Sequence, residues 1–599
     1  MKEPRMNLSD KRTFGANKAD WRYTLGHLFA YIKPSLPLFI IVILLNILSV
    51  ALALLGPYVC GLAIDQIKTD GTTDFGKITY YCVLLAVVYI VSEVVNYLST
   101  IGMAGIARKV SKRMRADLFA RLVNLPVSYF DSRQAGDIIS VLSYDTDTVG
   151  TSLANDIIMI IKSVVNIVGS LVMMLIIAAP LVLVFVVTIP LSFVATMVIT
   201  RRVQPLYRAR SAKLGQLNGF AEEVLSGQKT TKAYGREREI TDRFEVRNKD
   251  AADAYTRAEY FGTISGPTVT LINNLSLTLI STFGALSYAF GWFGIGVGQI
   301  SSFVLYSRKF SGPINEIAEV LGEFQSVIAA AERVFRVLDE KEEGCDDNVS
   351  LKLGEVNGDV RFEDVSFGYL PEKRVIKHFS LDVKKGDVIA IVGHTGAGKT
   401  TLINLLMRFY DVDEGRITLD GKDIRDVDRG ELRSAFTMVL QDTWLFAGTV
   451  YENIAYGAEG ATRERVEEVC RAAKIHSFIM GLPNGYDTYL SDNAANISKG
   501  QKQLLTIARA MLADSSMLIL DEATSNVDTR TEQLIQAAMT GLMKGRTCFV
   551  IAHRLSTIKN ADKIIVMENG NAVEQGTHAS LMADGGVYAR LYRSQFESY

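Results

Sequence analysis

A disulfide or metal framework is the first thing this chain lacks. Its five cysteines, Cys60, Cys82, Cys345, Cys470 and Cys548, are scattered, without CxxC spacing or nearby histidines, so they read as buried small hydrophobes. An excess of charge is missing too: Lys+Arg number 64 against 65 Asp+Glu, a net charge of −1. That balance argues for no nucleic-acid partner, and the placement of charge has to carry the information. The first 18 residues are polar, with no apolar core leading to a small-residue cleavage site, and read as a tail rather than a secretory signal.

Apolar sequence, by contrast, is plentiful. A chain of 599 residues is too long for one hydrophobic core, and its mean hydropathy of +0.17 is high for a wholly soluble protein, so part of it belongs in lipid. Six stretches are long enough to cross about 30 Å of hydrocarbon: 36–62, 78–101, 157–178, 181–200, 264–290 and 300–317. Ala179-Pro180 forces a tight hairpin between the third and fourth. Arg108, Lys109, Lys112, Arg113, Arg115 and Arg121 follow the second stretch, and Arg201, Arg202, Arg208 and Arg210 follow the fourth, whereas 65–77 and 291–299 carry little positive charge. The basic connections therefore face the cytoplasm, and both termini fall on that side of the plasma membrane.

Those two connections are long, helical in pattern and poor in Gly and Pro, so the membrane helices are expected to continue into the cytoplasm as stalks. Each breaks near its midpoint, at 125–136 and at Ser226-Gly227-Gln228, where a short transverse element is expected. Ahead of the first span, Trp21, Tyr23, Leu25, Leu28, Phe29, Tyr31 and Ile32 alternate with polar residues, as in an interfacial amphipathic helix or an ordinary packed one. The expected organisation is a tail and elbow helix over 1–34, an all-α transmembrane domain of six spans over 35–338, a charged linker over 339–358 and an α/β phosphate-loop domain over 359–599.

Residues 393–400 read GHTGAGKT and lie between a strand-like run, Val388-Ile389-Ala390-Ile391-Val392, and a helix-like one, Leu402-Ile403-Asn404-Leu405-Leu406. This is a phosphate-binding loop. Gly393, Gly396 and Gly398 let backbone N–H groups converge on one anion, Lys399 adds a mobile positive charge, and Thr400 offers a hydroxyl to Mg²⁺. A buried-type strand, Met517-Leu518-Ile519-Leu520, ends in Asp521-Glu522. Asp521 is placed to hold Mg²⁺, and Glu522 to orient and polarise an attacking water as general base.

Between these motifs the chain reads Ile497-Ser498-Lys499-Gly500-Gln501, and after them Ile551-Ala552-His553-Arg554. With these residues the chain resembles, over nearly its whole length, a half-transporter of the ATP-binding cassette family, exporter type. The resemblance implies ATP and Mg²⁺ as cofactors, with ATP bound by the loop from Gly393, His394, Thr395, Gly396, Ala397 and Gly398 through Lys399, Thr400 and Thr401. It assigns Tyr369 to adenine stacking, Gln441 to Mg²⁺ and water, and His553 to the γ-phosphate and Glu522. Ser498, Gly500 and Gln501 match the signature that meets the opposite cassette's γ-phosphate, and Asp528 matches the loop joining the two sites. Segments 131–137 and 226–232 resemble the family's coupling helices.

The signature departs from the usual LSGGQ: Ile497 replaces Leu, Lys499 stands at the first glycine, and Ser491-Asp492-Asn493-Ala494 replaces a Gly-Glu-x-Gly run. The phosphate loop, Asp521-Glu522 and His553 are complete. This pattern predicts a heterodimer with one competent and one degenerate site, the alternative being a homodimer that tolerates Lys499. Asn46, Glu93, Asn96, Asn166, Asn273 and Asn274 are costly in lipid and should face the bundle interior. Glu93 could attract a cation or serve packing. A gated pore should show a ring of one charge sign, and only Glu93 and Lys162 stand out within the spans, so export of amphipathic drugs, lipids or peptides ranks above a channel or regulatory subunit.

Overall fold

The computed structural model describes residues 21–67, 73–344, 352–370, 372–440, 443–491, 497–521, 528–551 and 558–596. They form two compact units, one of residues 1–123 with 135–340, the other of residues 124–134 with 341–599.

The first unit is helical throughout: α1 (Trp21–Ile32), α2 (Leu36–Ile64), α3 (Phe75–Val123), then, after the break holding α4 (Val127–Asp131), α5 (Ala135–Ser140), α6 (Thr146–Ala178), α7 (Leu183–Ser226), α8 (Gln228–Ala233), α9 (Glu237–Gly262), α10 (Ser265–Ala289) and α11 (Val297–Asp339). At 1.5 Å per residue the 49-residue α3 is about 74 Å long, far more than a bilayer core, and its basic C-terminal half is the expected stalk. Short helices stand at both breaks, α4 and α8. Among the described residues four helical stretches are long and apolar enough to cross a membrane, 22–64, 75–123, 135–226 and 237–289. The third contains both α6 and α7, folded back at Pro180. The sixth expected span lies on α11, which carries Arg308 and Lys309 and is not among these four.

Small residues draw α2 and α3 together: Ser49 Oγ donates to Ser92 O at 3.0 Å, Ser92 Oγ to Ser49 O at 2.9 Å and Ser99 Oγ to Val42 O at 3.1 Å. Between α2 and α11 the contact is chemical. Pro57, inside α2, has no N–H, so the Ala53 carbonyl one turn back loses its helical donor, and Lys309 Nζ donates to it at 3.2 Å. Tyr306, fully buried, donates to Leu54 O at 2.5 Å and Ser302 to Pro57 O at 2.8 Å. Helix α1 packs one face on α3 and α11 through Tyr31–Asp117 (2.9 Å) and Tyr23–Asp339 (2.7 Å), leaving Phe29 exposed. Of the cysteines, Cys470 and Cys548 are buried, Cys60 is half-buried and Cys82 is exposed on α3, which corrects the reading of all five as buried; Cys345 lies outside the described residues.

The second unit continues with β1 (Val360–Phe367), β2 (Ile376–Val383), β3 (Val388–Gly393), α12 (Lys399–Leu406), β4 (Glu414–Leu419), β5 (Lys422–Asp423), α13 (Arg429–Ser434), β6 (Phe436–Val439), β7 (Gly448–Thr449), α14 (Val450–Ala455), α15 (Arg463–Ala472), α16 (His476–Met480) and β8 (Tyr489–Leu490). It closes with α17 (Lys499–Ala513), β9 (Met517–Asp521), α18 (Thr529–Met543), β10 (Thr547–Ile551), β11 (Lys563–Glu568), β12 (Asn571–Gly576), α19 (His578–Asp584) and α20 (Val587–Phe596). Six strands form a sheet in the order β12-β11-β3-β10-β9-β6, parallel except for β12, beside an antiparallel sheet β2-β1-β4-β5. Strands β3, β9 and β10 are buried on both faces, which explains their continuous apolar runs.

Candidate nucleotide site and membrane cavity

Strand β10 lies between β3 and β9, with Ile551 in register with Ile391 on one side and Asp521 on the other. The phosphate loop after β3 and the carboxylate ending β9 thus reach the same sheet edge, where open α/β sheets bind ligands. Gly396 and Gly398 have φ of +84° and +101°, the left-handed region that favours glycine. A Cβ on Gly393 would stand 2.3 Å from Met567 O, and one on Gly398 2.7 Å from Ile376 Cδ1. Lys399 begins α12 and is largely buried; its ammonium donates to Gly393 O at 2.7 Å and His394 O at 3.2 Å, closing the loop on itself. Burial lowers its pKa, opposed by the Asp521 carboxylate. Thr400 is exposed on the first turn of α12, and Thr401 is buried.

Tyr369 hangs over this helix, its hydroxyl donating to Thr401 Oγ1 at 3.2 Å and accepting from Asn404 Nδ2 at 3.2 Å. The ring is half exposed and meets Phe367 and Tyr410 edge-on at 5.1 and 5.0 Å, leaving an aromatic face for a base. Tyr410 in turn donates to Asp131 Oδ2 of α4 at 2.5 Å, so the element at the first break is one aromatic ring from Tyr369. The spacing of these residues in sequence gave no sign of that link.

Ser498 caps α17 in a capping box: Ser498 Oγ accepts from Gln501 N–H at 3.3 Å and Gln501 Oε1 accepts from Ser498 N–H at 2.9 Å. Gly500 is buried and Lys499 is exposed at the first helical position. Asp528 caps α18, accepting from Thr531 N–H at 3.0 Å, a bond that holds its carboxyl below the usual range. Gln441, Glu522 and His553 lie outside the described residues.

Residues 39–314 match the model of the ABC transporter transmembrane region and residues 376–525 that of the ABC transporter domain. The ABC transporter ATP-binding protein YfiC of Bacillus subtilis is 43% identical over 585 residues, 97% of this chain and 96% of its own length. This chain belongs to the ABC transporter family. A fatty acid ABC transporter ATP-binding/permease protein of Mycobacterium bovis is 43% identical over 521 residues (87% of this chain, 82% of that protein). The ATP-dependent lipid A-core flippase of Salmonella typhimurium is 35% identical over 532 residues (88% and 90%). A solved bacterial Atm1-family ABC exporter with ATP bound superposes with a TM-score of 0.76 at 28% identity, covering 95% of this chain and 99% of the other. As an ABC exporter the chain is a multi-pass membrane protein with a cytoplasmic nucleotide-binding domain that hydrolyses ATP to drive transport, and it works as a dimer.

In the exporter's membrane unit a cavity of about 500 Å³ opens between α7, α10 and α11. Asn273 and Asn274 line it, together with Arg201 and Arg308. Asn46 is fully buried, and neither of its side-chain polar atoms has a partner among the described residues; Asn166 is half-buried on α6. Glu93 is elsewhere. It accepts from Asn96 at 3.2 Å and lines a shallow groove on α3 with Tyr89 and Tyr97, so it does not supply this cavity with an acidic group. Charges within the expected spans are not confined to Glu93 and Lys162, since the 300–317 stretch also carries Arg308, Lys309 and Glu316.

Proposed function

We propose that the chain exports or flips amphipathic compounds, lipids and fatty acids foremost, across the plasma membrane by alternating access. The observation that carries the reading is the juxtaposition of Asp521 with the phosphate loop across β10, in one chain with helical stretches long and apolar enough to cross a membrane. In this scheme the loop from Gly393 to Thr401 grips the phosphates and Tyr369 stacks on adenine. Thr400, Gln441 and Asp521 would hold Mg²⁺, which when bound would supply neutralisation of phosphate charge. Hard oxygen donors suit this ion, which keeps most of its shell as water and phosphate. Glu522 takes the proton of the attacking water, and His553 holds the γ-phosphate. Ser498, Gly500, Gln501 and Asp528 act across the dimer. Closure of two cassettes moves α4 and α8, and through them the stalks, because ATP binds the closed state better than the open one.

The partner is proposed to be a different half-transporter, with this chain's phosphate loop, Glu522 and His553 completing the competent site and Lys499 facing the degenerate one. A second reading, a homodimer, is favoured by one observation: the Ser498–Gln501 capping box is intact and Lys499 is exposed, so the substitution leaves the turn undisturbed. Reconstitution alone and with a second half-transporter separates them. Transport by the lone chain refutes the obligate heterodimer. Replacing Glu522 with Gln should leave ATP binding intact and nearly abolish turnover; survival of half the rate would refute the asymmetric assignment.

A further inference from the structure

We propose that the cavity between α7, α10 and α11 takes an amphiphile with an oxyanion headgroup, a carboxylate or a phosphate, held by Arg201 and Arg308. This names the substrate class for the export reading and rests on it. Thr188, Ser192, Thr196 and Thr200 recur every four residues along α7 and all line the cavity, forming a polar stripe on one helix face that ends at Arg201. Arg308 enters from α11, and no Asp or Glu is among the described lining residues. Two positive charges, one on α7 and one on α11, line the same cavity with no acid among its described lining residues.

Neither guanidinium has a hydrogen-bond or ion-pair partner among the described residues, and the same holds for the side-chain amides of Asn273 and Asn274. The neighbouring cation shows the contrast: Lys309, one residue on, is consumed by the Ala53 carbonyl that Pro57 leaves without a donor. A cation kept within a span and left unpaired by the protein marks a place where a ligand brings the counter-charge. The planar guanidinium fork suits carboxylate and phosphate oxygens, and the amides can donate further bonds. Phe185, Ile189, Met197 and Leu277 supply apolar wall for the chain of such a molecule, and about 500 Å³ is within the range of small-molecule sites. The cationic substrate that Glu93 alone suggested finds no acid here.

The test uses the full chain in phosphatidylcholine nanodiscs without nucleotide, titrated with oleate, oleoyl lysophosphatidate, oleyl alcohol and oleylamine. Oleate or lysophosphatidate should bind at least about tenfold tighter than the alcohol or amine. Arg308→Gln and Arg201→Gln should each weaken that binding about tenfold, the value of one charge-assisted hydrogen bond, and Arg308→Lys should recover part of it. Binding of only one of the two acids upholds the proposal and identifies the headgroup. Equal binding of acid, alcohol and amine overturns it, as does an unchanged affinity in both Gln variants; should a variant fail to fold, the ligand series on the unaltered chain decides alone. ATP turnover on the same discs separates the two readings: discrimination without turnover under any pairing removes export and leaves the site, whereas turnover without discrimination removes the site and leaves export.

Discussion

Lys309 and Pro57 make a prediction that a double-mutant cycle can read. Lys309→Met removes the ammonium that donates to Ala53 O, the carbonyl that Pro57 cannot serve. Interhelical hydrogen bonds in membranes contribute about 1 kcal/mol, and the ammonium carries its own desolvation cost, so the single variant measures a difference of two opposing terms. The cycle isolates the bond. In a Pro57→Ala background the residue 57 N–H returns to Ala53 O, and Lys309→Met should then cost nothing or stabilise. The coupling energy should be about 1–2 kcal/mol, a difference of roughly 1.5–3 °C in thermal midpoint for a unit of this size. The assay is thermal unfolding in detergent of the parent, both single variants and the double variant. An equal shift from Lys309→Met in both backgrounds would refute the account of why a lysine lies in this span.

Glu343 accepts from Arg433 at 2.6 and 2.7 Å and from Arg429 at 3.2 Å, while its N–H donates to Asn124 O at 2.8 Å; Glu343→Gln leaves two largely buried guanidinium groups underpaired and should cost about 3 kcal/mol, measured as a lowered denaturation midpoint. Burial pushes the Glu343 carboxyl up but is outweighed by Arg433 and then Arg429, which hold it below its ordinary 4.5, so its stabilisation is complete above that pH and fades on acidification; a gap between parent and variant that persists well below pH 4 would contradict this. Tyr369→Ala should weaken ATP binding by about 1–3 kcal/mol, the worth of base stacking on an aromatic ring, and Tyr369→Phe far less; equal losses in a nucleotide-binding titration would point to the hydroxyl instead. Tyr410→Phe removes the bond to Asp131, and the amount transported per ATP hydrolysed should drop in proteoliposomes, an unchanged ratio counting against a link through α4.

The strand–loop–helix that carries residues 393–400 was legible because its signals are local: the glycines punctuate a short turn between an apolar strand and the helix that follows. The buried runs of β3 and β9 were legible for the same reason, since parallel strands covered on both faces read as unbroken apolar segments. Arg308 and Lys309 show the limit. Hydropathy averages them into a single polar interruption of a span, although consecutive residues on a helix point about 100° apart and meet different neighbours, one an orphaned carbonyl and the other an open cavity. Glu93 stayed open between attracting a cation and serving packing, because a lone charge in a span carries no record of which face of its helix is covered; the structure gives it a bond from Asn96 and a place in a groove on α3.

The order of the residues by itself determined the class of the protein, the six apolar segments, their orientation and the nucleotide motifs, since each depends on spacing within one element or on composition alone. Tertiary structure decided which strand separates the phosphate loop from Asp521, that Tyr410 joins Tyr369 to Asp131, and that Lys309 completes α2 while Arg308 stays unpaired among the described residues. Those outcomes depend on contacts between residues from tens to hundreds of positions apart, and only the folded chain brings them within reach.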